Sequence, residues 1–171
     1  MEERKNNQAL AAVDITSEGK QAIVNRCLVS KLADGIRISI SLGDGRGVFT
    51  RSNDLTVNHL PTSVQIGDLN NDNKLDLVVA GAEPENSEGN YITTFVGDGT
   101  GHFTLKQTIT LGPGDLKGSV AQGDCNGDGK PDVALPKTDG VSPTSRVVVE
   151  QGPAGLRAGL APEGGRNSRQ R

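Results

Sequence analysis

One acidic motif occurs twice in this chain and limits what the chain can fold into. Residues 64–80 read VQIGDLNNDNKLDLVVA, and residues 120–136 read VAQGDCNGDGKPDVALP. In both copies, polar side chains occupy alternate positions between two apolar runs, and over residues 68–76 they are Asp, Asn, Asp, Lys and Asp. Clustered Asp, Asn and Gly between apolar runs predict a tight loop that joins two strands.

The motif belongs to an internal repeat. A third, eroded copy, VDITSEGKQAIV, lies near the start of the chain, and the heading residues Asp14, Asp68 and Asp124 are 54 and 56 positions apart. A second landmark, GDGRGVF from Gly43 and GDGTGHF from Gly97, follows its heading aspartate by 29 positions in both repeats. Because two landmarks keep the same register, we interpret the chain as three repeats.

The second repeat is predicted to form four strands, and the first repeat follows the same plan. The strands expected in the second repeat are Ser63–Ile66, Leu75–Ala80, Tyr91–Val96 and Phe103–Leu111. The segment Leu77–Ala80 is apolar throughout, which is typical of a strand buried on both faces. In the first repeat the corresponding segments are Gln21–Val29, Gly35–Leu42 and Asp54–Leu60.

The predicted fold class is all-β, a partial β-propeller of about three four-stranded blades with the last blade incomplete. A four-stranded repeat of about 40 to 55 residues is the size of a propeller blade, and propellers close with about 4 to 8 blades. The third repeat lacks the Asp and Phe of the second landmark, where Gln151–Leu156 stands instead. Open sheet edges would favour self-association.

The repeats set the predicted domain limits. We expect an N-terminal extension over 1–12, repeats over 13–63, 64–119 and 120–152, and a disordered Gly- and Arg-rich tail over 153–171.

Composition excludes several classes of protein. The chain has 23 Gly among 171 residues, no Trp, and a formal net charge of -3 without a basic stripe, which disfavours a nucleic-acid-binding protein. No apolar run is long enough to span a membrane, and the charged N-terminal residues do not resemble a signal peptide. Sequence leaves open whether Cys27 and Cys125 pair.

The spacing of the acidic motif predicts a site for a hard cation. Alternate positions wrap a loop around one point and present side-chain oxygens from positions 1, 3, 5 and 9 and a backbone carbonyl from position 7. Calcium takes six to eight oxygen ligands and is the usual ion for such a loop. The predicted ligands are Asp68, Asn70, Asp72, Asp76 and the Lys74 carbonyl, then Asp124, Asn126, Asp128, Asp132 and the Lys130 carbonyl.

Position 6 of the loop must turn sharply, which favours Gly or Asn at positive φ, and the copies carry Gly19, Asn73 and Gly129 there. An EF-hand is excluded because position 12 is Val79 or Leu135, inside a strand pattern. The alternative is a pair of solvated Asx turns that bind no metal.

The first copy departs from this pattern. Asp14, Thr16, Glu18 and Lys20 keep the alternation, but position 9 is Ala22. We expect weak calcium binding there or none.

These motifs resemble the FG-GAP or VCBS repeat family, which forms the blades of integrin α-subunit propellers. The matching segments are GDLNNDNKLDLVVA, FVGDGTGHF, GDCNGDGKPDVAL and SLGDGRGVF, and the resemblance covers roughly residues 13–152. It implies calcium binding on one face of a propeller and an extracellular or cell-surface location. By resemblance, the metal role passes to the loops 68–76 and 124–132, and doubtfully to the Asp14 loop.

The predicted function is a non-catalytic calcium-binding module for adhesion, recognition or scaffolding, with an unknown protein or carbohydrate ligand. No G-x-S-x-G, H-E-x-x-H or P-loop motif is present, and the only histidines are His59 and His102. One alternative is a fragment of a larger secreted enzyme that acts on polysaccharides or lipids, since propellers of this family accompany such enzymes. Another is a degenerate product that does not fold.

Overall fold

A computed structural model of the protein describes residues 7–16, 22–27, 36–82, 89–112, 115–116, 119–125, 127–138, 143–150 and 156–160. Within these ranges the regular structure is entirely β, which confirms the predicted class. The strands are β1 (Asn7–Val13), β2 (Ala22–Cys27), β3 (Ile36–Gly43), β4 (Phe49–Val57), β5 (Leu60–Gly67), β6 (Asp76–Ala82), β7 (Asn90–Gly97), β8 (Phe103–Gly112), β9 (Asp115–Leu116), β10 (Ala121–Gly123), β11 (Asp132–Thr138), β12 (Pro143–Glu150) and β13 (Leu156–Leu160).

The strands form three antiparallel sheets, one for each repeat. The first sheet has the order β1-β2-β3-β4, the second β5-β6-β7-β8 and the third β10-β11-β12-β13, with β9 beside β11. Consecutive strands are therefore neighbours in every sheet, as short antiparallel connections favour. The four strands predicted for the second repeat are all present, within a few residues of their expected bounds.

The third sheet corrects one expectation. Its fourth strand, β13, pairs with β12 from Arg146↔Leu160 to Glu150↔Leu156, so this sheet has the four strands that the predicted incomplete blade lacked. These residues lie in the segment expected to be a disordered tail. Antiparallel pairing depends on backbone hydrogen bonds, and it therefore persists although the Asp and Phe of the landmark are missing. Similarly, β1 lies mostly within the predicted N-terminal extension and pairs with β2.

The second sheet has an apolar core on each of its faces. Leu77 and Val79 of β6 pack in one core with Ile38 and Ile40 of the first sheet. Val78, between them, packs in another core together with Val133 and Leu135 of the third sheet. Successive side chains of a strand point to opposite faces, so the apolar run Leu77–Ala80 of β6 lets the three sheets stack face to face. The prediction of a strand buried on both faces is confirmed.

The stacking brings corresponding loops to one end of the structure. The first strands of successive sheets lie side by side, with β1 against β5 and β5 against β10. Each acidic loop follows the first strand of its sheet, and each Gly-rich turn follows the third strand, which runs in the same direction. Acidic loops and Gly-rich turns therefore share an end of the stack.

Corresponding residues in the first two repeats differ in burial. Phe103 is 7% exposed and packs in the core between the first and second sheets, whereas its counterpart Phe49 is 41% exposed. Gly101 packs closely on Leu42, while a Cβ added to Gly47 would meet no atom. The outer side of the first sheet at this turn is thus covered by no residue that the structure describes.

The face of the first sheet that carries Ser39 is polar. Arg51 donates from Nε to Asp54 Oδ1 at 2.8 Å, and Ser39 Oγ donates to the same oxygen at 3.0 Å. Burial raises the pKa of Asp54, but the hydrogen bonds from Arg51 and Ser39 and the charges of Arg51 and Arg37 outweigh it and lower that pKa overall.

His59 is a buried polar residue between β4 and β5. Its Nε2 lies 2.9 Å from Thr93 Oγ1, its ring stacks on Tyr91 with centroids 5.6 Å apart, and Nδ1 has no hydrogen-bond partner among the described residues. Burial lowers the pKa of His59 to about 4 because the charged imidazolium cannot be solvated there.

Replacing Leu77 by Ala should lower the free energy of unfolding by about 2–5 kcal/mol, because the change leaves a cavity in the core between the first and second sheets. Urea denaturation measures the effect. The control is Leu105→Ala, since Leu105 is 57% exposed and should change the stability by no more than about 0.5 kcal/mol. Equal effects at the two positions would contradict the described packing.

The free energy of unfolding should decrease as the pH falls from about 6.5 to about 4. The folded pKa of His59 lies below that of an unfolded histidine, so in this window the unfolded chain binds more protons. The contribution of neutral His59 to the free energy of unfolding is fully present above about pH 6.5. About 3 kcal/mol of it is lost by about pH 4.

Urea denaturation across this pH range should show a smaller pH dependence for His59→Gln than for the wild type. His102→Gln is the control, because it removes the other histidine of the chain, which is exposed in the Gly-rich turn. Carboxyl groups that titrate in the same range are common to all three proteins. A wild-type dependence that survives in His59→Gln would show that another group causes it.

Candidate metal-binding loops

The loop between β5 and β6 is organised by Asp68. Asp68 Oδ1 accepts hydrogen bonds from the amides of Asn70 and Asp72, both at 3.2 Å, and Oδ2 accepts one from Asn73 at 2.7 Å. Asp72 Oδ1 accepts the Lys74 amide at 2.9 Å, which places position 7 of the loop. Asp68 and Asp72 therefore both accept hydrogen bonds from the backbone of their own loop.

The loop between β10 and β11 repeats this arrangement. Asp124 Oδ1 accepts the amides of Gly127 at 2.6 Å and Asp128 at 3.2 Å, and Oδ2 accepts that of Gly129 at 2.9 Å. Asp128 Oδ1 accepts the Lys130 amide at 2.9 Å. Asn126, the predicted ligand at position 3, lies outside the described residues.

Both loops turn through the left-handed region at position 6. Asn73 has a φ of 63° and Gly129 a φ of 79°, as predicted for this position. Position 4 does the same, with a φ of 60° at Asn71 and 79° at Gly127, which the sequence reasoning missed. The sequence does carry a sign of this turn: position 4 is Asn in one copy and Gly in the other, and these two residues tolerate positive φ best.

The aspartates at position 9 are buried, unlike the other acids of the loops. Asp76 is 1% exposed; its Oδ2 accepts the Leu69 amide at 3.0 Å and its Oδ1 accepts the Gly97 amide at 2.9 Å. Burial raises the pKa of Asp76, the two amides oppose this, and the charges of Asp72 and Asp68 add to the rise.

Asp132 is 0% exposed, and its Oδ2 accepts the Cys125 amide at 2.8 Å. Its Oδ1 has no hydrogen-bond partner among the described residues. The same loop position is therefore fully hydrogen-bonded in the second repeat and half hydrogen-bonded in the third. Cys125 itself is a free and exposed cysteine.

The first acidic loop lacks the buried aspartate that the other two have at position 9. Asp14 Oδ1 accepts the amide of Thr16 at 3.0 Å and its hydroxyl at 3.2 Å, so the loop begins in the same way. Position 9, however, is Ala22, which is 0% exposed in the core between the first and second sheets. The predicted residues Glu18, Gly19 and Lys20 lie outside the described residues.

Among the described residues, two hydrogen bonds connect the second loop to the third repeat, one to the third loop and one to β10. Asn71 Nδ2 donates to the Gly129 carbonyl at 3.1 Å, and Gln122 Nε2 donates to the Asp68 carbonyl at 2.9 Å. Sequence reasoning missed both bonds, and also the Gly97 amide that closes on Asp76. The constant 29-residue offset between the two landmarks was the available signal for that last contact.

The aspartate of each Gly-rich turn accepts hydrogen bonds from amides of the same turn. Asp98 Oδ1 accepts the Thr100 amide at 2.7 Å and the His102 amide at 3.4 Å, and Asp44 Oδ1 accepts the Arg46 amide at 2.7 Å. The hydrogen bonds from Thr100 lower the pKa of Asp98. The turn is followed by a strand rather than a helix, so it does not form a phosphate-binding helix N-terminus.

The oxygen atoms of the loops are of the kinds that bind a hard cation, but the carboxylates accept hydrogen bonds from the backbone amides of their own loops. The available atoms are carboxylate, amide and carbonyl oxygens, the ligand types that calcium prefers. The buried and unpartnered Asp132 Oδ1 is an oxygen that a cation could satisfy. Within the described ranges, no group of three or more His, Cys, Asp or Glu side chains is arranged to hold a metal ion. The arrangement seen is that of the Asx turns which the sequence left as the alternative.

Comparison with protein families gives a match to the model described as FG-GAP-like repeat, at residues 27–79 and 72–135. Together the two matches span more than half of the chain. A search of the curated proteins found no match, and neither did a search of the solved structures. No helix long and apolar enough to cross a membrane occurs in the described part of the chain.

Asp76→Ala should lower the free energy of unfolding by about 2–5 kcal/mol even when a chelator is present. The change leaves two buried amides, those of Leu69 and Gly97, without acceptors, at about 1–3 kcal/mol each. Urea denaturation in EDTA measures this. Asp98→Ala is the control; its exposed carboxylate should contribute about 1 kcal/mol. If the two variants lose the same stability, the closing role of Asp76 is refuted.

Proposed function

The chain belongs to the FG-GAP-like repeat family, and from that premise we propose that it is a non-catalytic, calcium-binding propeller-repeat module for adhesion, recognition or scaffolding. Repeats of this family are typically extracellular and generally non-catalytic. The three stacked sheets, with their first strands side by side, are consistent with three neighbouring blades.

The observation that carries the proposal is that two of the acidic loops share their backbone geometry and hydrogen bonds. Asp68 and Asp124 both accept the amides of loop positions 5 and 6, both loops turn at positive φ at positions 4 and 6, and both end in a buried aspartate. A backbone kept this constant in two repeats supports a shared ligand. The proposed ligands of calcium are Asp68, Asn70, Asp72, Asp76 and the Lys74 carbonyl, and Asp124, Asn126, Asp128, Asp132 and the Lys130 carbonyl.

Calcium would supply positive charge where acidic side chains crowd. The charges of Asp72 and Asp68 raise the pKa of Asp76, so these carboxylates disfavour one another in the ionised state. A divalent cation relieves that repulsion. Acids on an exposed loop suit the weak affinities of extracellular modules, with dissociation constants of about 10⁻⁴–10⁻³ M.

The catalytic alternative has less support in the described residues. His59 is buried against Thr93 and Tyr91, and His102 lies in an exposed turn. Asp68 and Asp124 accept hydrogen bonds from backbone amides of their own loops. Recognition of a protein or carbohydrate partner is therefore the proposed role.

Calcium at 10 mM should raise the melting temperature of the wild-type protein by about 3–10 °C. With the dissociation constants above, ligand binding to the folded state adds about 1.4–2.7 kcal/mol, and about 1 kcal/mol corresponds to 2–4 °C for a chain of this size. Calorimetric melting and isothermal titration measure the two quantities. Magnesium at equal ionic strength controls for general salt effects.

The double variant Asp68→Asn/Asp124→Asn should lose the calcium response in both measurements. The matched control is Asp98→Asn, which alters an acid at the same end of the sheets but outside the acidic loops, and it should retain the response. A wild-type melting temperature that does not change in 10 mM calcium, together with no binding heat, would refute the calcium proposal.

A further inference from the structure

The outer face of the third sheet leaves uncovered the positions that the third sheet itself covers on the second. Cys125, which directly follows the heading aspartate, is exposed, whereas its counterpart Leu69 is 5% exposed in the core between the second and third sheets. Leu135 packs in that core, so the next side chain, that of Pro136, points to the outer face. Pro136 is exposed, whereas Ala80, 56 positions earlier, is buried in the core.

The glycine that precedes the heading aspartate shows the same difference. A Cβ added to Gly67 would overlap the side chain of Gln122, whose Nε2 donates to the Asp68 carbonyl at 2.9 Å. A Cβ added to Gly123, the counterpart in the third sheet, would meet no atom. Both sheets thus offer a position without a side chain at this point, and a neighbouring sheet occupies only that of the second.

The outer face of the first sheet carries the other half of such a contact. Within the chain, Phe103 packs in the core between the first and second sheets, while its counterpart Phe49 is 41% exposed. The same turn positions both rings, because the hydrogen bond that closes it is 3.0 Å long before Phe49 and 3.1 Å long before Phe103. The glycine two positions earlier has a φ of 93° in both turns. Phe49 is therefore held in the geometry of an inserted ring, and no described sheet covers it.

The polar residues of the first sheet do not oppose this contact. Ser39 Oγ donates to Asp54 Oδ1, and at the corresponding positions of the second sheet Thr93 Oγ1 and Thr108 Oγ1 lie 3.0 Å apart. Thr93 is 2% exposed beneath the first sheet, whereas Thr108 is exposed. Asp54 thus corresponds to a position that remains in water when a sheet packs on this face, so its ion pair with Arg51 can stay at the edge of the contact.

We propose that two copies of the chain associate head to tail, the third sheet of each copy packing against the first sheet of the other. Each of these contacts repeats the one that joins successive sheets within the chain. Three sheets from each copy then form one ring of six, within the about 4 to 8 blades with which propellers close. The inference rests on the stacking of the sheets and is independent of calcium binding.

A closed pair is favoured over an open series of copies. It makes two contacts for one loss of translational and rotational freedom. The second contact is intramolecular and forms at the high effective concentration that the first contact provides. Head-to-tail contacts that do not close into a ring build filaments, so the mass of the assembly distinguishes the proposed dimer from an open series.

Sedimentation velocity and native mass spectrometry of the wild-type chain in reducing buffer test the proposal. At about 50 µM we expect a species with twice the mass of the 17.8 kDa chain, and at about 0.5 µM the monomer should predominate by mass action. Cys125 reports on the contact directly, because the position of its counterpart Leu69 is covered. Its reaction with a thiol reagent, resolved by peptide from that of Cys27, should be at least about 5-fold slower at the higher concentration.

Two variants place a charge in the two halves of the contact. Phe49→Lys and Pro136→Lys should each raise the dissociation constant of the dimer by at least about 10-fold, because the contact would bury an unpaired ammonium group. The matched control is Val48→Lys. Val48 is 60% exposed in the same turn, but its counterpart His102 remains exposed in the contact within the chain, so this variant should dimerise like the wild type.

Far-UV circular dichroism establishes that the variants fold. If one of them does not, the mass of the wild type and the protection of its Cys125 decide alone.

A chain that remains monomeric at about 50 µM, or one that grows beyond the dimer, overturns the inference. A dimer that neither variant weakens overturns it as well. If Pro136→Lys weakens the dimer and Phe49→Lys does not, the third sheets pack on one another and the head-to-tail arrangement is wrong. Equal weakening by Val48→Lys and Phe49→Lys would show unspecific apolar association, which is also contrary to the proposal. None of these outcomes bears on calcium binding, so the proposed function is tested separately.

Discussion

The pairing of a buried carboxylate with amides from two separate turns holds the second repeat of this protein together at its loop end. In the second repeat, Asp76 accepts one amide from its own acidic loop and one from Gly97 at the end of β7. Because a buried acceptor must be satisfied, this contact fixes the position of the acidic loop relative to the Gly-rich turn. The two landmarks of the repeat are thus parts of one structure, although 29 residues separate their first positions.

The stacking of the sheets depends on the apolar residues of β6. β6 is apolar at every position from Leu77 to Ala80, and its alternating side chains supply the cores on both sides of the second sheet. The first sheet has a core on the side that faces the second, while its other side carries the polar contacts of Ser39, Arg51 and Asp54. A strand with two apolar faces belongs inside a stack, and a sheet with one polar face belongs at an end of the stack that one chain forms.

Divergence among the repeats has structural consequences at single positions. The first repeat has Ala22 where the others have a buried aspartate, so the loop has lost its closing acid and the position serves the core instead. The third repeat has kept Asp132, but the Oδ1 of this side chain has no hydrogen-bond partner among the described residues. The second repeat keeps both the buried aspartate and the Gly-rich turn. The two matches to the family model, at residues 27–79 and 72–135, overlap within this repeat.

The sequence by itself determined the all-β class, the three repeats, the strand bounds of the second repeat and the positive φ at Asn73 and Gly129. These features depend on alternation and turn chemistry within a few residues, which a pattern displays directly. Tertiary structure decided that Gly97 donates to Asp76, that Asn71 and Gln122 link neighbouring loops, that Asp132 keeps an unpartnered oxygen, and that Leu156–Leu160 forms a fourth strand. Each of these depends on which segments the stacking brings into contact, and hydrogen bonds between residues 21 to 58 positions apart leave no periodic trace in a sequence.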